Sequence, residues 1–315
     1  MCSIGGFISE KSISKDMAIR LASGLLYYGS DRGEQSSGIY VNGRILKKAT
    51  SPDDFIELGE YDNIFPDRVS QVLTHTRMPT SGGLGDAQAQ PFKIGNVVCV
   101  HNGWFNNTTE LKKKWSLNKK SGVDSELAPQ FINSYGINKL PEFVRSYYGS
   151  SAFGVLYQGD LYLMRDGNPT AYTVVDLSDG NSIFIFSSTG RILANSIRHT
   201  WLLPNEHPIK ETKDGVLFRV KKGNLKKLSE KVISQSSYAY YGNDFSDYGD
   251  YQHRFFPSKR QYRFDEEEKD ADIKFFRPNK LENAKEYKEL KECGFSDEEI
   301  AELLDTETPS GKPYI

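Results

Sequence analysis

The sequence predicts an α+β domain of stacked sheets covered by helices, followed by a tail of different character. Three observations carry that expectation. From Met1 to about Leu228, short apolar runs alternate with Gly, Asn and Asp turns, the pattern of strands and hairpins. A few stretches with helical spacing of apolar residues lie between those runs. Past about Ser229 the aliphatic content falls away. Strands interleaved with fewer helices bury their apolar faces by stacking as sheets with helices outside.

In chain order, the strand pattern covers residues 2–7, 38–41, 69–74, 96–100, 152–157, 160–165, 182–187 and 215–220. Residues 16–28 carry apolar side chains at helical intervals, and 125–135 and 138–146 fit two further helices. The domain is therefore set at 1–228. Between 234 and 264 the chain is crowded with Tyr, Phe, Ser, Asp and Gly without a steady period. Such a composition buries too little surface to offset its ordering entropy, so 229–280 is expected to be a mobile aromatic and polar linker. Residues 281–293 fit an amphipathic helix stopped by Gly294, and Ser296 with Glu299 forms a capping box for a second one. Residues 281–305 thus read as a helical hairpin, and 306–315, with Pro and Gly, as a frayed end.

The chain of 315 residues, 37% hydrophobic and 26% charged, holds material for one large core or two ordinary ones. Its formal net charge of -2 offers no electrostatic footprint for nucleic acid or an anionic membrane. No apolar run approaches the ~20 residues that span a bilayer, and the N-terminus lacks the basic-then-apolar plan of a signal peptide. The cytoplasm is the expected compartment. Cys2, Cys99 and Cys293 are an odd number, far apart, and match neither a disulfide framework nor a zinc spacing. No metal and no cofactor is expected.

The chemistry begins at Met1-Cys2-Ser3-Ile4-Gly5-Gly6. Cysteine is small enough for the initiator methionine to be removed, which leaves a thiol and a free amine on one residue. An α-amine has an ordinary pKa of about 8, so near neutrality part of it is unprotonated and can take the thiol proton. Taken alone, a cysteine at position two is more often an accident of sequence.

Other segments change that reading. Arg32-Gly33-Glu34-Gln35-Ser36-Ser37-Gly38-Ile39 follows the first helix; His75-Thr76-Arg77-Met78-Pro79-Thr80-Ser81-Gly82 and Ala89-Gln90-Pro91-Phe92 come next; His101-Asn102-Gly103 follows a strand; and Val123-Asp124-Ser125-Glu126 opens a helix. In order and spacing these segments resemble the class II glutamine amidotransferases. These are the Ntn-hydrolase glutaminase domains of glutamine phosphoribosylpyrophosphate amidotransferase, glucosamine-6-phosphate synthase and asparagine synthetase. The resemblance covers about Met1 to Leu228 and implies a four-layer αββα sandwich of mainly antiparallel sheets, with Cys2 at the end of an inner strand.

It also implies roles. Cys2 is the nucleophile, and its own α-amine the base. The Asn102 side-chain amide and the Gly103 N–H form the oxyanion hole, where one donor is typically worth about 3 kcal/mol of barrier. Arg77 matches the glutamine carboxylate through two parallel hydrogen bonds, and Asp124 matches the ammonium. Taken alone, Arg77 reads as an ion-pair residue and Asp124 as a helix cap. Thr80 is expected to line the substrate pocket, a turn hydroxyl being the alternative. Arg32 and His101 are expected to be structural beside the site, and His75 likewise. Cys99 reads as a small buried hydrophobe. Gln35 stands where the family has an acid, and Met78 where an aromatic residue is common.

Two motifs are set aside. Ser81-Gly82-Gly83-Leu84-Gly85-Asp86 resembles a pyrophosphate loop, but its spacing to Asp is wrong. The lysines at 112, 113, 114, 119 and 120 read as a solvated face. After Leu228 the chain has too few residues for an ammonia-using domain. The expected function is a glutaminase subunit that hydrolyses glutamine through a Cys2 thioester and supplies ammonia to a separate synthetase or transferase. The alternatives are a free-standing γ-glutamyl amidohydrolase and a catalytically idle scaffold.

Overall fold

In the computed structural model the described residues are 1–78, 83–118, 120–200, 203, 207–221, 224–232 and 234, all within a unit that runs from Met1 to Asp250. The expected hairpin at 281–305, the end at 306–315 and most of the linker lie outside the described residues. The strands are β1 (Ser3–Ser14), β2 (Ser36–Val41), β3 (Arg44–Lys48), β4 (Arg68–Arg77), β5 (Phe92–Ile94), β6 (Val97–Phe105) and β7 (Gly149–Tyr157). They continue with β8 (Asp160–Asp166), β9 (Ala171–Asp176), β10 (Ser182–Ser187), β11 (Lys210–Glu211), β12 (Phe218–Lys221) and β13 (Asn224–Lys227). The helices are α1 (Lys15–Tyr27), α2 (Pro52–Ile56), α3 (Gly59–Asn63), α4 (Thr108–Trp115), α5 (Leu127–Tyr135), α6 (Leu140–Val144) and α7 (Gly190–Thr200).

The strands form a seven-stranded sheet in the order β11-β9-β10-β1-β4-β2-β3 and a six-stranded sheet in the order β13-β12-β8-β7-β6-β5. Strand neighbours run antiparallel. Three layers of apolar contact hold the stack. Ile4, Leu73, Val100, Ala152, Phe184 and Phe186 lie between the two sheets. Leu21, Leu25, Leu193 and Ile197 seat α1 and α7 on the seven-stranded sheet. Phe131, Phe143, Phe153 and Val155 seat α5 and α6 on the six-stranded one. Burying each such side chain stabilises by about 2 kcal/mol, which is why inner strands such as β2 are buried along their whole length instead of alternating. The result is the αββα sandwich.

Local chemistry explains the element ends. Ser14 caps α1 by accepting from the Met17 N–H at 3.3 Å, and Asp16 in the first turn pairs with Arg20 at 3.0 Å. Lys112, Lys113 and Lys114 lie in the last turn of α4, where cations suit the helix dipole, and Lys113 and Lys114 are exposed. Helix α7 is not predicted by apolar spacing, because its buried face includes Ser196 and Thr200. Their hydroxyls are satisfied within the helix, bonding Ile192 O at 2.7 Å and Ser196 O at 2.8 Å, so a polar residue occupies a core position at little cost.

Register places the functional residues. The β1–β4 pairing sets Ser3 opposite Thr76, and the β2–β4 pairing sets Ser36 opposite Arg77. Cys2, Arg77 and the loop from Arg32 to Gln35 therefore meet at one end of the first sheet. Among the described residues no helix is long and apolar enough to cross a membrane.

Candidate active site

Cys2 precedes the first strand, and its nitrogen reaches across to the second sheet. In the chain with Met1 attached this nitrogen is a peptide N–H, and it donates to Asn102 Oδ1 at 3.2 Å. That bond fixes which way the Asn102 amide faces, because its oxygen must point at the donor. The other end, Nδ2, is buried and has no hydrogen-bond partner among the described residues. A buried amide N–H₂ without a partner costs about 1–3 kcal/mol, so its position calls for a reason beyond stability. Cys2 Sγ lies 3.7 Å from Met78 O. Burial pushes the Cys2 thiol up; the Met78 bond, the N-terminal charge and Arg77 oppose that, and Asp124 adds to it.

Arg77 and Asp124 thus share the electrostatic field of the thiol. Arg77, at the last position of β4, donates from Nη1 to Gly83 O at 2.8 Å. Its guanidinium is lowered by burial, with Cys2 and then Asp124 opposing. Asp124 opens the segment before α5 and accepts from the Phe105 N–H and the Ser125 N–H, each at 2.9 Å. The Phe105 bond ties it to the strand that carries Asn102 and Gly103. Gly103 has φ +148, and a Cβ there would lie 2.0 Å from Ser150 O, so only glycine fits. Arg32 donates from Nε to Cys2 O at 2.9 Å, which fixes the carbonyl of the cysteine. Gly33 passes so close to Arg77 that an added Cβ would meet its carbonyl carbon at 2.4 Å. A cleft of about 330 Å³ lies over the N-terminus, lined by Met1, Ser30, Asp31, Arg32, Gly33, Glu34, Gln35 and Met78. The structure therefore brings together Cys2, Arg32, Arg77, Asn102, Gly103 and Asp124; Thr80 lies outside the described residues.

The two nearby histidines are held away from acid–base work. His101 is stacked between Phe105 and Phe153 and shares its Nδ1 with Ser125 Oγ at 2.8 Å. His75 Nε2 lies 3.2 Å from His101 O. Burial lowers both imidazoles to about 3, so each is neutral at physiological pH. Their ordinary value is about 6.5, so the unfolded chain takes up protons below that pH while the folded one does not. Their contribution is fully present above pH 6.5 and is lost progressively as pH falls toward 3. Urea unfolding between pH 7 and pH 4 is expected to show that loss, with a shallower slope in His75→Asn. Equal slopes in the two proteins would contradict it.

Two residues with a supporting place were quoted in the motifs without a role. Gln90 clips the His101 peptide from both sides, donating to its oxygen at 3.0 Å and accepting from its N–H at 2.7 Å. Glu126 accepts from the N–H groups of Lys120 and Ser121 and from Ser121 Oγ, at 2.7–2.8 Å, and so anchors the loop before Asp124. The Gln90 contacts depend on how its chain segment approaches β6, and the Glu126 contacts on the conformation of the loop at 120–121; residue spacing carries neither. Cys99 is buried and its thiol is pushed far up by burial. Among the described residues no group of three His, Cys, Asp or Glu side chains could hold a metal.

Comparison with known proteins adds a family. Residues 75–195 match the model of a glutamine amidotransferase domain. The glutamine–fructose-6-phosphate aminotransferase of Lactococcus lactis is 26% identical over 254 residues, covering 76% of this chain and 39% of that enzyme. The 7-cyano-7-deazaguanine synthase of Saccharolobus solfataricus is 29% identical over 147 residues, covering 42% of this chain and 30% of that one. This chain therefore spans well under half the length of either enzyme. The solved structure of glutamine phosphoribosylpyrophosphate amidotransferase from B. subtilis shares the fold, with a TM-score of 0.55 at 16% identity over 73% of this chain and 50% of that one. The family match runs through the strand that holds Asn102 and the fold match covers 73% of the chain; over residues 75–195 this chain is similar to the glutamine amidotransferase domains.

Proposed function

We propose that this domain hydrolyses the side-chain amide of glutamine through a thioester on Cys2 and supplies the ammonia to a separate synthetase or transferase subunit. The observation that carries the reading is the divided use of the Asn102 amide. Its oxygen holds the nitrogen of Cys2, while its buried Nδ2 has no hydrogen-bond partner among the described residues. After Met1 is removed, that nitrogen is an α-amine. It takes the thiol proton as sulfur attacks the amide carbon, and Asn102 Nδ2 with the Gly103 N–H receives the charge that develops on oxygen. The amine returns the proton to the leaving nitrogen and ammonia departs. Water then cleaves the thioester to glutamate and the free thiol. Arg77 holds the substrate carboxylate and Asp124 its ammonium, with Thr80 at the pocket wall and Arg32 and His101 in support.

The test is glutamate release from glutamine by protein whose first residue is shown by intact mass spectrometry to be Cys2, set beside Cys2→Ala. Turnover no higher than in Cys2→Ala would overturn the reading. A finer expectation concerns Arg77→Lys, which keeps the charge but loses the planar pair of donors. KM for glutamine is expected to rise about 10- to 100-fold with a smaller change in kcat. An unchanged KM would remove Arg77 from the pocket.

A separate acceptor would take up the ammonia that the Cys2 chemistry releases. Purification from the native host followed by mass spectrometry tests it, with a synthetase or transferase expected in constant ratio. A chain recovered alone, with glutaminase turnover that no partner alters, would favour a free-standing amidohydrolase.

A further inference from the structure

The loop after β8 folds back onto the strand that carries the oxyanion donors. At Gly167 the chain turns with φ +81, pairs with Ser151 as an isolated bridge, and donates its N–H to Asp214 Oδ1 at 2.9 Å. That turn delivers Asn168 into the interior. Asn168 is 8% exposed, and its Nδ2 donates to Asn102 O at 3.0 Å and to Ser150 Oγ at 3.2 Å.

We propose that Asn168 is a positioning residue that aims the Gly103 N–H at the developing oxyanion. The argument rests on the glutaminase reading above and on the planarity of the peptide bond. Asn102 C=O and Gly103 N–H belong to one rigid plane and point in opposite directions. A donor that fixes the carbonyl therefore fixes the N–H. The bond adds to the pairing of β6 with β7, in which Asn102 lies opposite Ala152, and it bears on a plane whose second residue, Gly103 at φ +148, has no Cβ to restrict rotation. A Cβ cannot be supplied instead, since it would strike Ser150 O. The bond from Asn168 also polarises the peptide, making its N–H a stronger donor. Ser150 Oγ, the second partner, lies on the neighbouring strand opposite Trp104, so it steadies the Asn168 amide against the same hairpin.

The test compares full-length, processed wild type with Asn168→Ala and Asn168→Asp, the second keeping the shape but replacing the donor with an acceptor. Both are expected to lose about tenfold or more in kcat for glutamine hydrolysis, with KM within about threefold. The rate at which iodoacetamide alkylates Cys2 is expected to stay at the wild-type value, because that displacement builds no charge on a carbonyl oxygen. Asn168→Ser, with a smaller donor, is expected to recover part of kcat, and it carries the comparison if the other two fail to fold. A kcat within twofold of wild type in Asn168→Ala or Asn168→Asp overturns the inference. So does a fall in kcat matched by an equal fall in alkylation rate, which marks damage to the whole site. A wild type without glutaminase turnover instead overturns the function reading, and this inference falls with it.

Discussion

Asn102→Ala is expected to lower kcat for glutamine hydrolysis about 10²- to 10³-fold while KM changes little. In the proposed mechanism the removed Nδ2 acts on charge that exists only as the tetrahedral intermediate forms, so its loss would appear in the chemical step and not in binding. The low-dielectric setting of the group makes the effect large: Asn102 is 1% exposed. Alanine also removes the oxygen that holds the Cys2 nitrogen. Asn102→Asp separates the two losses, because a carboxylate still accepts from that nitrogen but cannot donate. It is expected to be as slow as Asn102→Ala. Its rate profile is also expected to move to higher pH, since a negative charge beside the α-amine holds the amine protonated. Steady-state kinetics on processed protein decide the matter, and an Asn102→Ala enzyme within tenfold of wild type would leave the oxyanion assignment without support.

Retention of Met1 is expected to silence the enzyme as completely as loss of the thiol. Two effects act together. With Met1 attached, the Cys2 nitrogen is an amide that cannot accept a proton, and a positioned base is worth about 10²–10⁴ in rate. The methionine also lines the cleft bounded by Arg32, Gly33 and Met78. Its terminal nitrogen lies 2.9 Å from Met78 Sδ, and its own sulfur lies 3.5 Å from Arg32 Nη2. Protein expressed with an uncleaved N-terminal extension should therefore release no glutamate above the level of Cys2→Ala. Removing the extension to leave Cys2 first should restore turnover. Equal turnover in the extended and processed forms would show that the α-amine is not the base.

The sequence carried the parts of this protein that depend on residue type and short spacing. The strands around Ile4, Ile39, Leu73, Val100, Val155 and Phe184 were legible because an apolar run between turn residues has few other uses in a domain of this size. Helix α7 was not, since its hydrophobic stripe is interrupted by hydroxyls whose partners lie one turn back in the same helix. The candidate residues Cys2, Arg77, Asn102, Gly103 and Asp124 were legible as members of an ordered motif series. Only the tertiary structure decided which end of the Asn102 amide faces Cys2, that His75 and His101 are neutral, and that Asn168 rests on the Asn102 carbonyl. Those are relations between groups 26 to 100 positions apart in the chain. A hydrogen bond is decided within a few tenths of an ångström, whereas residue pattern determines only which face of a strand or helix is buried, so the one is settled by packing and the other by sequence alone.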